Sequence, residues 1–324
     1  MTLIIKNLAK RYDNNLVIKD VSLEVERGDI LGLFGVVGEG KTTVIRSIAG
    51  VLQLDGGTVH FDSQDITLSS CEDRGFHFPD LTNESFWTSI FNTDKTSPLA
   101  DGEGQALALE DALSKAKDVL LLDNQFCFMD RQTRENNCEK LRQTVKEKKL
   151  AVIFATNNYD EIFSICDRVA VLHNGAIIQT GTPREVYANP QTAAVADITG
   201  RNNLIEARRI TSNKSDMPEF QTVKGKHTLF TDKIDEKKFD SQSENVILAI
   251  RPEHISISFG ASFPEDNLLK AKITNIIFKG ETTLIMLDAG GLELQAMVLR
   301  LVGLNIGDEC MVGLPPDRIL VLKD

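Results

Sequence analysis

Residues 29–52 read "DILGLFGVVGEGKTTVIRSIAGVL" and contain the motif that decides the fold. The run 29–35 is almost entirely apolar and lies between Gly28 and Gly35, which predicts a short buried strand. From Lys41 the apolar residues recur at helical spacing, so a helix is expected over 41–52. Between the two lies "GVVGEGKTT", which fits the pattern G-x-x-x-x-G-K-[ST] in the strand–loop–helix context that this pattern requires. The stretch therefore predicts a phosphate-binding loop at the start of a helix.

The chemistry of this loop assigns a role to each part of it. Glycines let backbone N–H groups surround phosphate oxygens, and the helix N-terminus adds partial positive charge. Lys41 is expected to reach the terminal phosphates, and the Thr42 hydroxyl to ligate Mg²⁺. The predicted nucleotide-binding residues of the loop are Gly35, Gly38, Glu39, Gly40, Lys41, Thr42 and Thr43.

A second buried strand, "DVLLLD", ends at Asp123. An acid at the end of a strand next to a phosphate loop is typical of the carboxylate that orients Mg²⁺, so Thr42 and Asp123 are the predicted metal residues. Many nucleotide hydrolases place a second carboxylate directly afterwards, and this chain has Asn124 there. Helical and strand segments continue to alternate, with helices expected over 106–117 and 131–149 and a strand over 150–156. A hairpin turn is expected at Asn174–Gly175, and a capped helix is expected after Thr182 with Pro183 in its first position. The first two hundred residues therefore predict an α/β fold with a largely parallel sheet covered by helices on both faces.

Composition narrows the range of functions. The chain has 324 residues, 42% of them hydrophobic, which favours two domains. Its net charge of −11 argues against general nucleic-acid binding, which needs basic surfaces. Five scattered cysteines without a CxxC pair indicate neither a zinc site nor a disulfide framework. No signal peptide and no apolar stretch of about 20 residues is found, so a cytoplasmic protein is expected.

The pattern changes near Gly200. A polar segment is followed by short alternating stretches such as "VILAIRPEHISIS" and "TTLIMLDAG", which predict an all-β domain, a small barrel or a sandwich. The predicted domains are therefore 1–200, which binds nucleotide, and 201–324, a regulatory β domain.

The chain resembles the nucleotide-binding subunits of ABC transporters, in particular importer subunits with a C-terminal TOBE domain, which is OB-like. The resemblance is carried by "LAKRYDNNLVIKDVSLEVERGDILGLFG", the phosphate loop, "DRVAVLHNGAIIQTGTPREVYANP" and "AIRPEHISIS" with "GDECMVGLPPDRILVL". It implies a P-loop NTPase domain of the ABC type followed by the TOBE domain, with ATP and Mg²⁺ as ligands. It also implies that Tyr12 stacks on adenine, and the alternative for Tyr12 taken alone is a core or surface aromatic.

At the catalytic positions the sequence departs from the family pattern. A glutamine is expected where "GFHFP" has Pro79, which lacks a side-chain amide and a backbone donor. The catalytic glutamate corresponds to Asn124 and the switch histidine to Asn157. The signature Leu-Ser-Gly-Gly-Gln falls on "LADGE", whose residues are Leu99, Ala100, Asp101, Gly102 and Glu103. Loss of general base catalysis costs on the order of 10² to 10⁴ in rate. The sequence thus predicts a catalytically degenerate subunit. His77 is a conceivable substitute base, but a histidine in an apolar stretch is more often packed, and the packed interpretation is favoured.

Only nineteen residues, Asp80 to Pro98, separate Pro79 from Leu99. The family has a helical subdomain there that receives the permease, and nineteen residues can make one helix of about 28 Å at most. The helical subdomain is therefore expected to be shortened. Trp87 either offers an apolar contact to a partner or covers the core at this point, and both readings remain open.

The function expected from these observations is a nucleotide-binding subunit of an ABC import system that binds ATP with little or no hydrolysis. Its expected partners are ABC permease subunits and either a paralogous ATPase subunit or a second copy of itself. A periplasmic or lipoprotein binding protein would be an indirect partner, and nucleic acid would not be one. The expected location is cytoplasmic, peripheral on the inner face of the cell membrane. Two alternatives are a slow but genuine transport ATPase and a stand-alone nucleotide or ligand sensor.

Overall fold

The structure is a computed structural model that describes residues 2–79, 102–210, 217–232, 245–258, 267–300 and 303–323. It divides into two compact units, Met1–Ala188 and Asn189–Asp324. Each unit has its own hydrophobic core.

Among the described residues, the first unit contains a sheet of nine strands. Their order across the sheet is β5-β4-β1-β2-β9-β8-β3-β7-β6. The strands are β1 (Thr2–Tyr12), β2 (Asn15–Glu26), β3 (Ile30–Phe34), β4 (Gly56–Phe61), β5 (Gln64–Asp65), β6 (Val119–Asp123), β7 (Ala151–Thr156), β8 (Arg168–His173) and β9 (Ala176–Gly181).

The described helices of this unit connect the strands. They are α1 (Lys41–Ala49), α2 (Cys71–Arg74), α3 (Gly102–Lys115), α4 (Arg131–Lys148), α5 (Tyr159–Ile165) and α6 (Pro183–Ala188). Side-chain caps account for several of their starts: Asp130 accepts from the N–H of Thr133, and Asn158 accepts from the N–H of Asp160. The predicted helix after Thr182 with Pro183 in its first position is confirmed by α6.

The expectation of a largely parallel sheet is only half right. Strands β6, β7, β3 and β8 pair in parallel, and β2 meets β9 in parallel at one residue pair. The other four pairings among the described strands, including the opening hairpin of β1 with β2, are antiparallel. Local periodicity identifies a strand but carries no information on the direction of its partner.

The apolar sequences of the parallel strands agree with their burial. Every residue of β3 and of β7 is buried, as expected for strands covered on both faces. Helix α1 buries Val44, Ile45 and Ile48 in the same core. This packing holds the carboxyl ends of β3 and β6 and the start of α1 in one region, and the candidate site lies there.

The second unit confirms the predicted C-terminal all-β domain. Its strands form two five-stranded sheets, β12-β11-β10-β13-β19 and β14-β18-β15-β16-β17. The strands are β10 (Asn203–Ile210), β11 (Glu219–Thr222), β12 (Thr228–Phe230), β13 (Asn245–Ile250), β14 (Ser256–Ser258), β15 (Asn267–Phe278), β16 (Thr283–Ala289), β17 (Leu292–Val298), β18 (Glu309–Leu314) and β19 (Leu320–Leu322). Inward-facing residues of both sheets form one core. Within the described parts of the chain, no helix has the length and apolar character needed to span a membrane.

The second unit begins at Asn189, earlier than the boundary expected near Gly200. The reason is a short helix, α7 (Ala193–Ile198), that belongs to the second unit. Ala196 is buried in a cluster with Ala249 of β13, and the guanidinium of Arg251 donates to the carbonyl of Ala196 at 3.1 Å. A tertiary contact of this kind cannot be read from local sequence.

Candidate functional site

The loop from Gly35 to Thr43 connects β3 to α1, as predicted. Gly38 and Gly40 have φ values of 92° and 98°, in the left-handed region that glycine adopts at low cost. A Cβ on Gly40 would lie 2.7 Å from Cδ1 of Ile18 on β2. Gly40 has no side chain to cap the first N–H groups of α1, so these groups are available to a ligand anion.

Lys41 is buried at the base of the loop, with 7% of its surface exposed. Its Nζ donates to the carbonyl oxygens of Gly35 at 2.7 Å and Val36 at 2.8 Å. Burial lowers the pKa of the Lys41 ammonium, while the negative charges of Asp123 and Glu39 act in the opposite direction. The predicted lysine and the predicted metal carboxylate are therefore electrostatic neighbours.

Asp123 and Asn124 lie where β6 ends beside β7. The N–H of Asn124 donates to the carbonyl of Ala155 at 2.9 Å, and its φ is 49°. Asparagine tolerates this left-handed conformation better than most residues. Its side-chain Nδ2 donates to Oδ1 of Asp123 at 3.2 Å. The side-chain amide of Asn124 is therefore hydrogen-bonded to the neighbouring carboxylate of Asp123.

Glu39 makes a contact that sequence reasoning missed. Its carboxylate accepts from Nδ1 of His173 at 3.0 Å and from the backbone N–H of Asn174. His173 is the last residue of β8 and Asn174 begins the turn to β9, and Glu39 and His173 are 134 residues apart in sequence. We call the contact among Glu39, His173 and Asn174 the loop–turn contact. The predicted turn at Asn174–Gly175 is confirmed, but no local pattern indicated that it meets the phosphate loop.

A buried pair of glutamines holds the segment after Asn124. Gln125 Nε2 donates to the carbonyl of Gln105 at 3.0 Å, and Gln105 Oε1 accepts from the N–H of Phe128 at 3.0 Å. Both side chains are fully buried. They fix the segment against α3, and nothing in the sequence distinguished these glutamines from surface residues.

Comparisons with known proteins agree with this architecture. Residues 18–82 match the family described as ABC transporter, and residues 248–322 match the family described as TOBE domain. The sulfate/thiosulfate import ATP-binding protein CysA 2 of Agrobacterium fabrum is 32% identical over 241 residues, 63% of this chain and 71% of that protein. The chain belongs to the ABC transporter family.

More specifically, it resembles the ATP-binding subunits of importers that carry a C-terminal TOBE domain. The spermidine/putrescine import ATP-binding protein PotA of Haemophilus influenzae is 28% identical over 316 residues, 86% of this chain and 82% of that protein. A crystal structure of a nucleotide-free ATP-binding cassette from an ABC transporter superposes with a TM-score of 0.53 at 19% identity. It covers 62% of this chain and 100% of that chain, and this likeness supports the fold.

The other positions that the resemblance predicts to match catalytic residues of the family are placed as follows. Pro79 is buried, two residues after His77, which bridges to Leu120 of β6. Asn157 is exposed directly after β7. Gly102 and Glu103 begin α3, whereas Leu99, Ala100, Asp101 and the stretch with Trp87 lie outside the described residues. Their predicted roles stay predictions.

His77 has surroundings that fit a packed residue. Burial lowers the pKa of its imidazole, with Asp111 raising it and Lys115 lowering it. Both of these charged residues belong to α3. The groups that act on His77 are therefore those of α3 and not those of the phosphate loop.

Tyr12 ends β1 and is 43% exposed. The Lys10 ammonium lies 5.9 Å from its ring centroid. The exposed ring is accessible to a ligand, and its stacking on adenine stays a prediction.

Proposed function

We propose that this chain is a nucleotide-binding subunit of an ABC import system that binds Mg-ATP through Gly35–Thr43 and hydrolyses it little or not at all. The observation that carries the proposal is the arrangement of Lys41. Its ammonium is buried against a glycine loop whose backbone turns left-handed at Gly38 and Gly40, and Asp123 lies within electrostatic reach. This arrangement suits a phosphate chain that accompanies a divalent cation.

The residues that would hold magnesium are the Thr42 hydroxyl and the Asp123 carboxylate. Oxygen donors of this kind are those that Mg²⁺ prefers, and only one or two protein ligands are usual because phosphates and water complete the shell. The cation would neutralise phosphate charge. The chain's own contribution is to hold Asp123, which the Asn124 amide contacts, next to Lys41.

Weak hydrolysis is supported by the residue after Asp123. An asparagine side chain can hydrogen-bond a water but cannot take its proton, so Asn124 supplies no general base. Its amide also donates to Asp123, and its left-handed backbone differs from the extended conformation that most residues prefer. Pro79 and Asn157 add two further departures from the family pattern.

The subunit role rests on the relatives, which are named as import ATP-binding proteins. By this likeness the chain pairs with an active ATPase subunit, or with a second copy of itself, beneath permease subunits at the inner face of the membrane. A partner with an intact catalytic glutamate and signature would supply the chemistry that this chain lacks.

Calorimetry on the purified full chain tests nucleotide binding. We expect Mg-ATP to bind with a dissociation constant in the micromolar to millimolar range, roughly −8 to −4 kcal/mol. Lys41→Ala abolishes the binding, whereas Lys115→Ala, on an exposed lysine of α3, leaves it unchanged. No heat of binding from wild type at millimolar Mg-ATP would refute the proposal.

Two further measurements separate the proposal from its alternatives. Single-turnover ATP cleavage that disappears in Lys41→Ala would establish a genuine ATPase instead. Purification of a tagged chain from membranes tests the subunit role, since permease subunits should accompany it. Their consistent absence would favour a stand-alone sensor.

A further inference from the structure

Glu39 places a carboxylate inside a loop whose proposed ligand is a polyanion. Its side chain is 12% exposed and lies against the end of β8 and the turn that follows, where it accepts from His173 Nδ1 and from the N–H of Asn174. A buried carboxylate needs such donors, because leaving one unsatisfied is costly. The loop–turn contact therefore keeps this charge in a defined place.

The hydrogen-bond geometry assigns the state of His173. Its Nε2 lies 2.9 Å from Nδ2 of Asn174, which is a donor, and its Nδ1 faces the carboxylate of Glu39. A neutral imidazole with its proton on Nδ1 satisfies both contacts. The Glu39 carboxylate raises the pKa of the Lys41 ammonium, so it acts electrostatically on the loop's own phosphate-binding group.

We propose that His173 is a positioning residue for nucleotide phosphates, because its hydrogen bond keeps the Glu39 carboxylate on the turn and away from the bound polyanion. This inference rests on the proposed function. Without His173 the carboxylate loses one of its two donors and becomes free to compete for the Lys41 ammonium. The penalty grows with the charge of the ligand, so ATP is affected more than ADP.

Calorimetry with ATP and with ADP on the full chain tests the inference. We expect His173→Ala to weaken ATP binding about fivefold to tenfold, with a smaller loss for ADP. Glu39→Gln keeps an acceptor for Asn174 without the charge and should bind ATP about twofold to fivefold more tightly than wild type. The double variant should recover the affinity lost in His173→Ala.

The matched control is His60→Ala. His60 Nε2 lies 4.0 Å from Asp65 in another histidine–carboxylate pair of the same unit, and its side chain is 30% exposed against 31% for His173. We expect unchanged binding of both nucleotides. Thermal melting of each variant identifies any that fail to fold. If His173→Ala fails to fold, the inference is tested by Glu39→Gln alone, which should bind ATP more tightly than wild type.

Three results would overturn the inference. They are unchanged ATP affinity in His173→Ala, equal losses for ATP and ADP without recovery in the double variant, and no tightening in Glu39→Gln. In each of these cases wild type still binds ATP, so the proposed function stands. Failure of wild type to bind ATP refutes the proposed function and this inference with it.

Discussion

Asn124 donates from Nδ2 to the Oδ1 atom of Asp123 at 3.2 Å, so the residue predicted to stand at the position of the family's catalytic base is hydrogen-bonded to the predicted metal carboxylate. The backbone at Asn124 is left-handed, with φ at 49°, and its N–H is bonded to Ala155. Any residue placed at position 124 therefore has to adopt this left-handed backbone.

We expect Asn124→Glu alone to leave ATP hydrolysis near background. Glutamate in the left-handed region costs roughly 1–2 kcal/mol, and Asn157 still lacks the imidazole expected of a switch residue. A measurable rate should require Asn124→Glu together with Asn157→His and Ser-Gly-Gly-Gln at positions 100–103. Steady-state phosphate release at saturating Mg-ATP compares the variants. A robust Lys41-dependent rate from the single variant would contradict this expectation.

Gly175→Ala should lower the free energy of unfolding by more than about 2 kcal/mol, because left-handed backbone and a steric clash add together. Gly175 has φ at 77°, and a Cβ there would lie 2.2 Å from the carbonyl oxygen of Val17. Gly28→Ala is the control, since φ is 86° and no described heavy atom lies within 4 Å of its built Cβ. Denaturant unfolding of both variants checks the difference, and equal losses would show that the clash is relieved.

Arg74→Ala should lower the free energy of unfolding by about 3 kcal/mol, because it leaves buried carbonyl groups without their charged donor. Arg74 is 8% exposed. Its guanidinium donates to the carbonyls of Ser47, Ile48, Thr67 and Ser69, of which the first two close the end of α1.

The control for this prediction is Arg131→Ala, which removes an exposed pair with Glu135 on α4 and should cost less than about 1 kcal/mol. Denaturant unfolding measures both variants. A similar small effect from each would mean that water replaces the Arg74 contacts.

The stability of wild type should contain a component that falls as pH rises above 4.5, the ordinary pKa of a glutamate. Burial raises the pKa of the Glu161 carboxyl, against the hydrogen bonds from Thr156 and Asn158 and the charge of Arg134. The folded state then binds more protons than the unfolded state between the two pKa values. The stabilisation is present below 4.5 and is lost as pH rises through the folded pKa.

Glu161→Gln should remove this component. The test measures unfolding midpoints in steps from pH 4.5 to neutrality for wild type and for Glu161→Gln. Glu135→Gln, on the exposed face of α4, is the control. If the unfolding midpoints of wild type and Glu161→Gln change with pH in parallel, the pKa of Glu161 is not raised in the folded state.

The sequence predicted those elements whose formation depends on residues close together in the chain. Strands β3, β6 and β7 are continuous apolar runs with polar or glycine ends, so their limits follow from composition. The turn at Asn174–Gly175 follows from the left-handed preference of its two residues.

The features that were not predicted depend on distant parts of the chain. Glu39 meets His173 across 134 residues, and Gln125 meets Gln105 across 20. Each of these side chains is compatible with a solvent-exposed position when judged by its neighbours in sequence. Their pairing becomes visible only in the folded chain, where the sheet order places β3 beside β8 and Gln105 of α3 contacts the segment after β6.

Gly102 starts α3, and a Cβ there would lie 2.8 Å from the carbonyl oxygen of Phe128. The packing of α3 on the segment after Asn124 therefore excludes every other residue from position 102 unless the backbone moves. This steric requirement for glycine at position 102 holds whether or not the chain binds a nucleotide. A glycine at this position is therefore explained by packing alone, and its agreement with the signature pattern is not by itself a sign of a signature function.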